Sequence, residues 1–472
     1  MESRHLILRN ATALVAAQII SKALNIAVSV AMVRWLGARE LGWYAYILAF
    51  CFPFGAVADF GLATLAIREI SRDRSRVGVV LATLARLLLM LTGLSVIAML
   101  AVAVLARHDT QTLLGIALVG ISSLLSALTT PSLVVLTARE EMHLLSLHRI
   151  ASSVIGSLAT LGVLLAGGTV LPLLLAGAGT TLLMLGLGRL LAGGPGRLPG
   201  IPASAVRGML RQAVPFGLLM IGFALYYRVD MVMLQWLRGP REVGLYAAAY
   251  RFLDAVVLLA ASLGGPFFPR LSNLVARNPG QVRELLEDAW RPLLALGLPL
   301  SLGTFLLADE LTLVLFGREF GEAEALLRIL VWGALPIFWV NVASHALIAA
   351  DQVWALAVVY GSSALVNVAC NLLLIPSLGG MGASLATLLC EWMNLALVVR
   401  LIRRKFGVAV SAEGLWRYVP ATAGMATALW VMRGAGLGVE IPSAMATYAG
   451  ILIVLGYLRS PDMIALRRLL AH

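Results

Sequence analysis

Apolar residues in this chain come in long unbroken runs, not in stripes. Fourteen runs cover residues 11–33, 43–66, 79–105, 112–136, 147–166, 170–191, 214–237, 243–268, 289–307, 326–350, 354–375, 381–399, 415–432 and 441–458. A helix needs roughly 20 apolar residues to cross a bilayer, and it satisfies its own backbone in lipid. Each run therefore predicts a membrane-spanning helix. The period-two alternation of a membrane barrel is absent. The connections are short and polar. The longest, 192–211, carries Gly193, Gly194, Pro195, Gly196, Pro199, Gly200 and Pro202 and predicts a flexible linker between two halves. Residues 270–291 and 461–472 are polar and partly amphipathic, and predict helices lying in the membrane interface.

Composition supports this pattern and narrows the classes. The 472 residues are 60% apolar and 13% charged, where a soluble chain carries about 25% charged residues. A soluble enzyme, a secreted disulfide scaffold and a disordered protein are excluded. The net charge of +12 would suggest nucleic acid in a soluble protein. Here the distribution of basic residues explains it without a nucleic-acid partner. With the N-terminus placed in the cytoplasm, 24 basic residues fall on the cytoplasmic side, 8 on the other and four within runs. That asymmetry fits an even number of crossings with both termini inside. The excess of arginine over lysine suggests a GC-rich bacterial coding sequence. Cys51, Cys370 and Cys390 lie in apolar runs, with no spacing for a metal site or a disulfide frame. No cleavable signal segment is apparent.

The chain also repeats itself. Trp35-Leu36-Gly37-Ala38-Arg39-Glu40-Leu41-Gly42-Trp43-Tyr44-Ala45 returns as Trp236-Leu237-Arg238-Gly239-Pro240-Arg241-Glu242-Val243-Gly244-Leu245-Tyr246-Ala247, with one inserted residue. Six runs separate the copies. An even number gives both halves the same orientation, as parallel repeats about an axis along the membrane normal. The predicted fold class is all-α: two six-helix bundles, 1–192 and 212–400, joined by the linker 193–211. Residues 401–472 add two C-terminal spans and an amphipathic tail. By fold-level analogy, two such bundles enclose a central cavity that rocks between inward-open and outward-open states.

Several motifs then resemble one family. These are Arg34-Trp35-Leu36-Gly37 with Glu40-Leu41-Gly42-Trp43-Tyr44, Asp59-Phe60-Gly61-Leu62 with Arg68-Glu69-Ile70, and Tyr227-Arg228-Val229-Asp230-Met231-Val232-Met233-Leu234. Val243-Gly244-Leu245-Tyr246-Ala247-Ala248-Ala249-Tyr250-Arg251, Pro266-Phe267-Phe268-Pro269-Arg270 and Leu315-Phe316-Gly317-Arg318 continue the order, as does Asn371-Leu372-Leu373-Leu374-Ile375-Pro376 before Gly382-Ala383-Ser384. In order and spacing they resemble the bacterial polysaccharide (O-antigen-type) flippases of the multidrug/oligosaccharidyl-lipid/polysaccharide exporter superfamily. The resemblance implies a flippase, not an enzyme, in the bacterial inner membrane. It would carry a polyprenyl-diphosphate-linked oligosaccharide for surface polysaccharide synthesis, with polysaccharide polymerase machinery as a partner.

On that reading the intramembrane charges become site candidates. A charge near the bilayer centre costs roughly 2.5–3.5 kcal/mol on insertion scales and usually faces protein or water. Arg228, Arg251 and Lys22, with Arg86 as gateway, are expected to form a cationic path for the diphosphate, because guanidinium matches phosphate oxygens. The structural alternative is local pairing, as of Arg251 with Asp254 one turn on. Glu391, Asp59, Asp230 and Asp254 are expected either to couple transport to a Na⁺ or H⁺ gradient or to pair with these arginines. Asn25, Asn341, Asn367, Asn371 and Asn394 would bind sugar hydroxyls or hold helices together. The stretch 308–325, with Asp309, Glu310, Glu319, Glu322 and Glu324, is expected to be a solvated acidic loop. No cofactor, nucleotide-binding loop or metal cluster is read in the sequence. The alternatives are a lipid II flippase, a drug or cation exporter of the same superfamily, and, in a different class, a membrane glycosyltransferase, ligase or polymerase.

Overall fold

The computed structural model describes residues 2–73, 76–193, 203–264, 271, 274–275, 279–408 and 415–457. All regular structure among them is helical. The chain forms two compact units, Met1–Arg228 and Val229–His472. The first contains α1 (Glu2–Asp59), α2 (Leu62–Arg72), α3 (Val77–Leu105), α4 (Thr110–Ala138), α5 (Met142–Leu165), α6 (Val170–Leu191) and most of α7 (Ala203–Arg238). The second takes the end of α7, then α8 (Pro240–Gly264), α9 (Pro279–Leu306), α10 (Ala308–Phe316), α11 (Ala323–Leu330) and α12 (Ala334–Ala349). It closes with α13 (Val353–Leu378), α14 (Gly380–Phe406), α15 (Tyr418–Val431) and α16 (Leu437–Val454).

Every predicted run is helical where it is described, apart from turn residues at the ends of several and a break at Phe60–Gly61 inside 43–66. Twelve helical segments are long and apolar enough to cross a membrane. Two features reconcile that number with fourteen runs. The first segment, Leu24–Ile70, holds two runs fused across Gly37, whose φ of 70° breaks α1. The run at 415–432 forms α15, whose 14 residues fall short of a full crossing. The protein is thus a multi-pass membrane protein.

Both repeat copies turn at a glycine. Gly37 (φ 70°) and Gly239 (φ 89°) occupy the left-handed region, which an L side chain enters at a cost of about 1–2 kcal/mol. In the second copy the turn binds its neighbours through polar side chains. Arg238 donates to the carbonyls of Ile375 (3.2 Å) and Pro376 (2.6 Å), at the end of α13. Glu242 accepts the Gly380 N–H (2.9 Å), which opens α14. Arg241 pairs with Glu322 (2.9 Å) just before α11 and holds that carboxyl below the usual carboxylate range. In the first unit the stretch after the turn is tied to the α3–α4 connection. Trp43 Nε1 donates to Thr112 Oγ1 (2.9 Å), and Tyr46 bonds His108. Asp109 caps α4 by accepting from the Thr112 hydroxyl (2.6 Å) and the Gln111 and Thr112 amides. These donors, the Thr112 hydroxyl foremost, hold its carboxyl below the usual range.

Two expectations are corrected. Residues 279–291 are not a separate interfacial helix. They are the first half of α9, which continues unbroken to Leu306. Its inner stripe, Val282, Leu285, Leu286, Ala289 and Leu293, is buried at helical spacing, so the polar residues occupy only the opposite face. Residues 203–211 of the predicted linker are likewise helical, forming the start of α7. Met209 and Ala213 are buried there against Leu62, Leu65, Ile70 and Leu84 of α2 and α3, and that packing overrides the linker's irregular composition. Residues 194–202 of the linker and the tail 461–472 lie outside the described residues.

Helices α13 and α14 approach closely at Gly382. A Cβ on Gly382 would lie 2.5 Å from the Leu374 carbonyl oxygen and 2.9 Å from the Ile375 nitrogen, both backbone atoms. Gly382→Ala should therefore cost about 1–3 kcal/mol and lower the melting midpoint of the detergent-purified protein. Gly361→Ala, also on α13 but with nothing within 4 Å of the position its methyl would take, should leave that midpoint unchanged.

Candidate functional site

Most hydroxyls on the spans need no functional explanation. Thr83, Ser122, Thr129, Thr137 and Thr180 each bond the carbonyl four residues back in their own helix. The polar groups that reach between helices are fewer. In the second unit one such centre is Asp230, which is 1% exposed. It sits in the part of α7 that follows Arg228. Tyr246 on α8 donates its hydroxyl to Asp230 Oδ2 (2.5 Å), and Thr387 on α14 donates to the same oxygen (3.2 Å). The Met231 amide occupies Oδ1 (2.7 Å). Tyr246 and Thr387 are themselves 3.0 Å apart, so three helices converge on one carboxylate.

A second polar seam joins α13 to α14. Ser363 donates to Asn394 Oδ1 (2.5 Å), Asn371 Nδ2 donates to Asn367 Oδ1 (2.7 Å), and Asn367 contacts the Cys390 sulfur. Ser363, Asn367 and Asn371 are fully buried, so these amides hold helices together. Asn25 does the same between α1 and α5, donating to Ser153 (2.7 Å) and accepting from Ser157 (2.8 Å).

The predicted cations are distributed over both units. Arg228 ends the first. It is half-buried, with its guanidinium carbon 4.5 Å from the centre of the Tyr227 ring. Tyr227 is stacked on Phe223 at 5.2 Å and tilted against Phe52 at 6.2 Å. This aromatic platform fixes the arginine by cation–π attraction. Arg86 is exposed on α3, on one face with Met90, Leu94 and Ile97 (54–67% exposed). Lys22 lies in α1, but its side chain is outside the described residues. Arg251, on α8 in the second unit, is half-buried, as is Asp254 one turn on.

The acidic candidates separate by environment. Asp59 is exposed and accepts the Gly61 amide (3.3 Å) at the turn between α1 and α2, where Phe60 takes a positive φ of 46°. That is a turn-forming role. Glu391 is 6% exposed, its side chain packed over Gly333 beside Leu253. Asp230 is gathered into a cross-helix network. Its oxygens, with Thr387 Oγ1, are hard ligands of the kind that hold H⁺ or a small monovalent cation. No trio of His, Cys, Asp or Glu suited to a metal ion occurs among the described residues.

Sequence reasoning named Asp230 without its partners. Tyr246 and Thr387 lie 16 and 157 residues away from it, and no periodicity links such positions. The available signal was Tyr246 itself, an element of the repeated motif. The expected solvated acidic loop at 308–325 is instead largely helical, with α10 at Ala308–Phe316 and the start of α11.

Comparison with known proteins matches this architecture. The polysaccharide biosynthesis protein family aligns with residues 7–275, and the MatE family with 215–373. The chain belongs to the polysaccharide biosynthesis protein family, and its fold is that of the multidrug/oligosaccharidyl-lipid/polysaccharide exporter superfamily. It is 26% identical over 178 residues to a probable low-salt glycan biosynthesis flippase, Agl15, of Haloferax volcanii, and 27% identical over 184 residues to a probable flippase, AglR, of the same organism. These alignments span 38% and 37% of the two relatives, and the same shares of this chain. Among solved structures, the lipid II flippase MurJ in an inward closed conformation superposes with a TM-score of 0.79, covering 96% of this chain and 100% of that one at 14% identity. An inward-facing MATE multidrug transporter gives a TM-score of 0.63 at 13% identity, covering 81% and 94%.

The Asp230 network is open to a direct test. Tyr246→Phe and Thr387→Val each remove one hydroxyl donor from a buried carboxylate, and each should destabilise the purified protein by about 1–2 kcal/mol. Combined, they should cost less than the sum in a double-mutant cycle of melting midpoints, because the two hydroxyls share one acceptor oxygen.

Proposed function

We propose that this protein flips an oligosaccharide carried on polyprenyl diphosphate across the bacterial cytoplasmic membrane, by alternating access and without covalent change to its cargo. Both termini are cytoplasmic in this reading, and the product passes to polysaccharide polymerase machinery. The observation that carries it is Arg228: a guanidinium within a membrane-spanning helix, held half-exposed on the Tyr227 ring. Such a charge is retained at a cost of roughly 2.5–3.5 kcal/mol, and a diphosphate is the membrane-borne group best matched to it. Arg251 on α8, Lys22 on α1 and Arg86 on α3 are the other cations assigned to the headgroup in this reading. The names of the two Haloferax volcanii relatives support a flippase of glycan biosynthesis. A Na⁺ or H⁺ gradient drives the cycle, with Asp230 as the coupling carboxylate in preference to Asp59, Asp254 or Glu391. Its burial and its ties to three helices favour that choice.

The test is reconstitution in liposomes with defined polyprenyl-diphosphate oligosaccharides and, in parallel, lipid II, each with and without imposed Na⁺ and pH gradients. Leaflet exchange should occur with the oligosaccharide carrier. Arg228→Ala and Arg251→Ala should each slow it about tenfold or more, the equivalent of one charge-assisted hydrogen bond, while membrane expression stays normal. Wild-type rates in both variants would remove the arginines from the path. Sugar transfer between carriers would replace the flippase with an enzyme, and exchange confined to lipid II would change the cargo.

A further inference from the structure

The second unit holds a pocket with no part in the transport reading. It has a volume of about 220 Å³ and is lined by Phe305, Glu310, Arg328, Trp430 and Arg433, among others. Glu310 leads from it to a buried acid. Glu440, in the first turn of α16, is fully buried. Its Oε1 accepts the Gly434 amide at 2.8 Å. Its Oε2 is also buried and receives no hydrogen bond from any described residue. The Glu310 side chain lies within hydrogen-bonding reach of Glu440.

Two ionised carboxylates only accept, so neither could satisfy the other. An unmatched buried charge is costly. Two cations nearby face other carboxylates. Arg433, on the α15–α16 connection, faces Asp309 of α10 at 3.6 Å. Arg328 of α11 pairs with Glu324 on the same helix at 2.8 Å. One proton between the two glutamates resolves the arrangement. It makes a charge-assisted O–H···O⁻ bond, gives the buried Oε2 a partner and removes one negative charge.

We propose that Glu310 and Glu440 form a binding site for a single proton, which ties α10 to α16. The α15–α16 pair is also held by an apolar cluster that includes Ala295, Leu307, Met425 and Tyr448, and by a hydrogen bond from the Tyr448 hydroxyl to the Ala295 carbonyl of α9 (2.9 Å). The shared proton is a further polar tie for these last two helices, and one that solution pH can remove.

Burial first, then the carboxyls of Glu440 and Asp309, push the Glu310 carboxyl above the usual carboxylate range, while Arg433 draws it back. The folded site therefore holds its proton more tightly than the unfolded chain does. The stability it adds is complete below the ordinary glutamate value of 4.5 and is lost as pH rises through the elevated native value.

The experiment is a melting profile of the full-length, detergent-purified protein from acid to alkaline pH, for wild type, Glu310→Gln and Glu440→Gln. A glutamine donates an N–H to the remaining carboxylate without a titrating proton. Wild type should lose melting temperature as pH rises above the carboxylate range, and each variant should flatten that loss. Parallel profiles for all three proteins would overturn the site. Stabilisation of wild type at alkaline pH by sodium over potassium, absent in both variants, would overturn the proton as occupant and put Na⁺ in its place. Infrared titration of wild type alone gives a second readout that does not depend on the variants folding. A carboxylic acid band that disappears with a midpoint above the ordinary range is expected, and its absence would overturn the proposal.

Discussion

Lipid offers no hydrogen bonds, and this structure follows from that constraint. Each polar atom carried into a membrane-crossing helix needs its partner inside the protein. Lone hydroxyls solve the problem within one helix by bonding the carbonyl four residues back. Carboxylates and amides cannot do so, and they draw helices together. Asp230 gathers α7, α8 and α14; Ser363 and Asn367 of α13 meet Asn394 and Cys390 of α14; Asn25 joins α1 to α5. What is polar and buried here is mainly architecture. The proposed headgroup contacts, by contrast, are charged and part-exposed.

By that criterion the two best-placed arginines differ from the acids. Arg228 lies against a ring face, which helps to fix its position. The acids divide into a turn-former (Asp59), a network centre (Asp230), a buried group over a glycine (Glu391) and a half-buried residue one turn from Arg251 (Asp254). A chain that moves an anionic headgroup needs cations that stay charged. One driven by an ion gradient needs an acid whose charge can change. The two requirements fall on different residues.

Much of the fold was legible in the sequence because long apolar runs leave few alternatives. Apart from turn residues and the Phe60–Gly61 break, the fourteen runs proved helical where described, and the Trp-Leu…Glu…Gly…Tyr-Ala repeat marked both glycine turns. Legibility failed where composition and packing disagreed. The polar stretch at 279–291 looked interfacial because its charges were counted before its buried stripe, Val282 to Leu293, was matched to a neighbour. The linker was drawn too long because Met209 and Ala213 are ordinary residues until α2 and α3 bury them. The acidic stretch at 308–325 keeps Glu319 and Glu322 exposed as expected but is largely helical, and Glu310 meets Glu440 from far along the chain. Site residues that depend on such distant partners carry no local signature.

The α7–α8 turn shows what such partnerships imply for how the chain can change over time. Arg238 closes one helix, Glu242 opens another, and Arg241 reaches the approach to a third. Gly380 thus begins its helix with a carboxylate borrowed from a segment 138 residues earlier. Four connected positions behave as a single inherited character. An insertion or deletion in that short bend would uncap helices that never touch it in sequence, so drift should be slow at the bend and fast on the lipid-facing flanks.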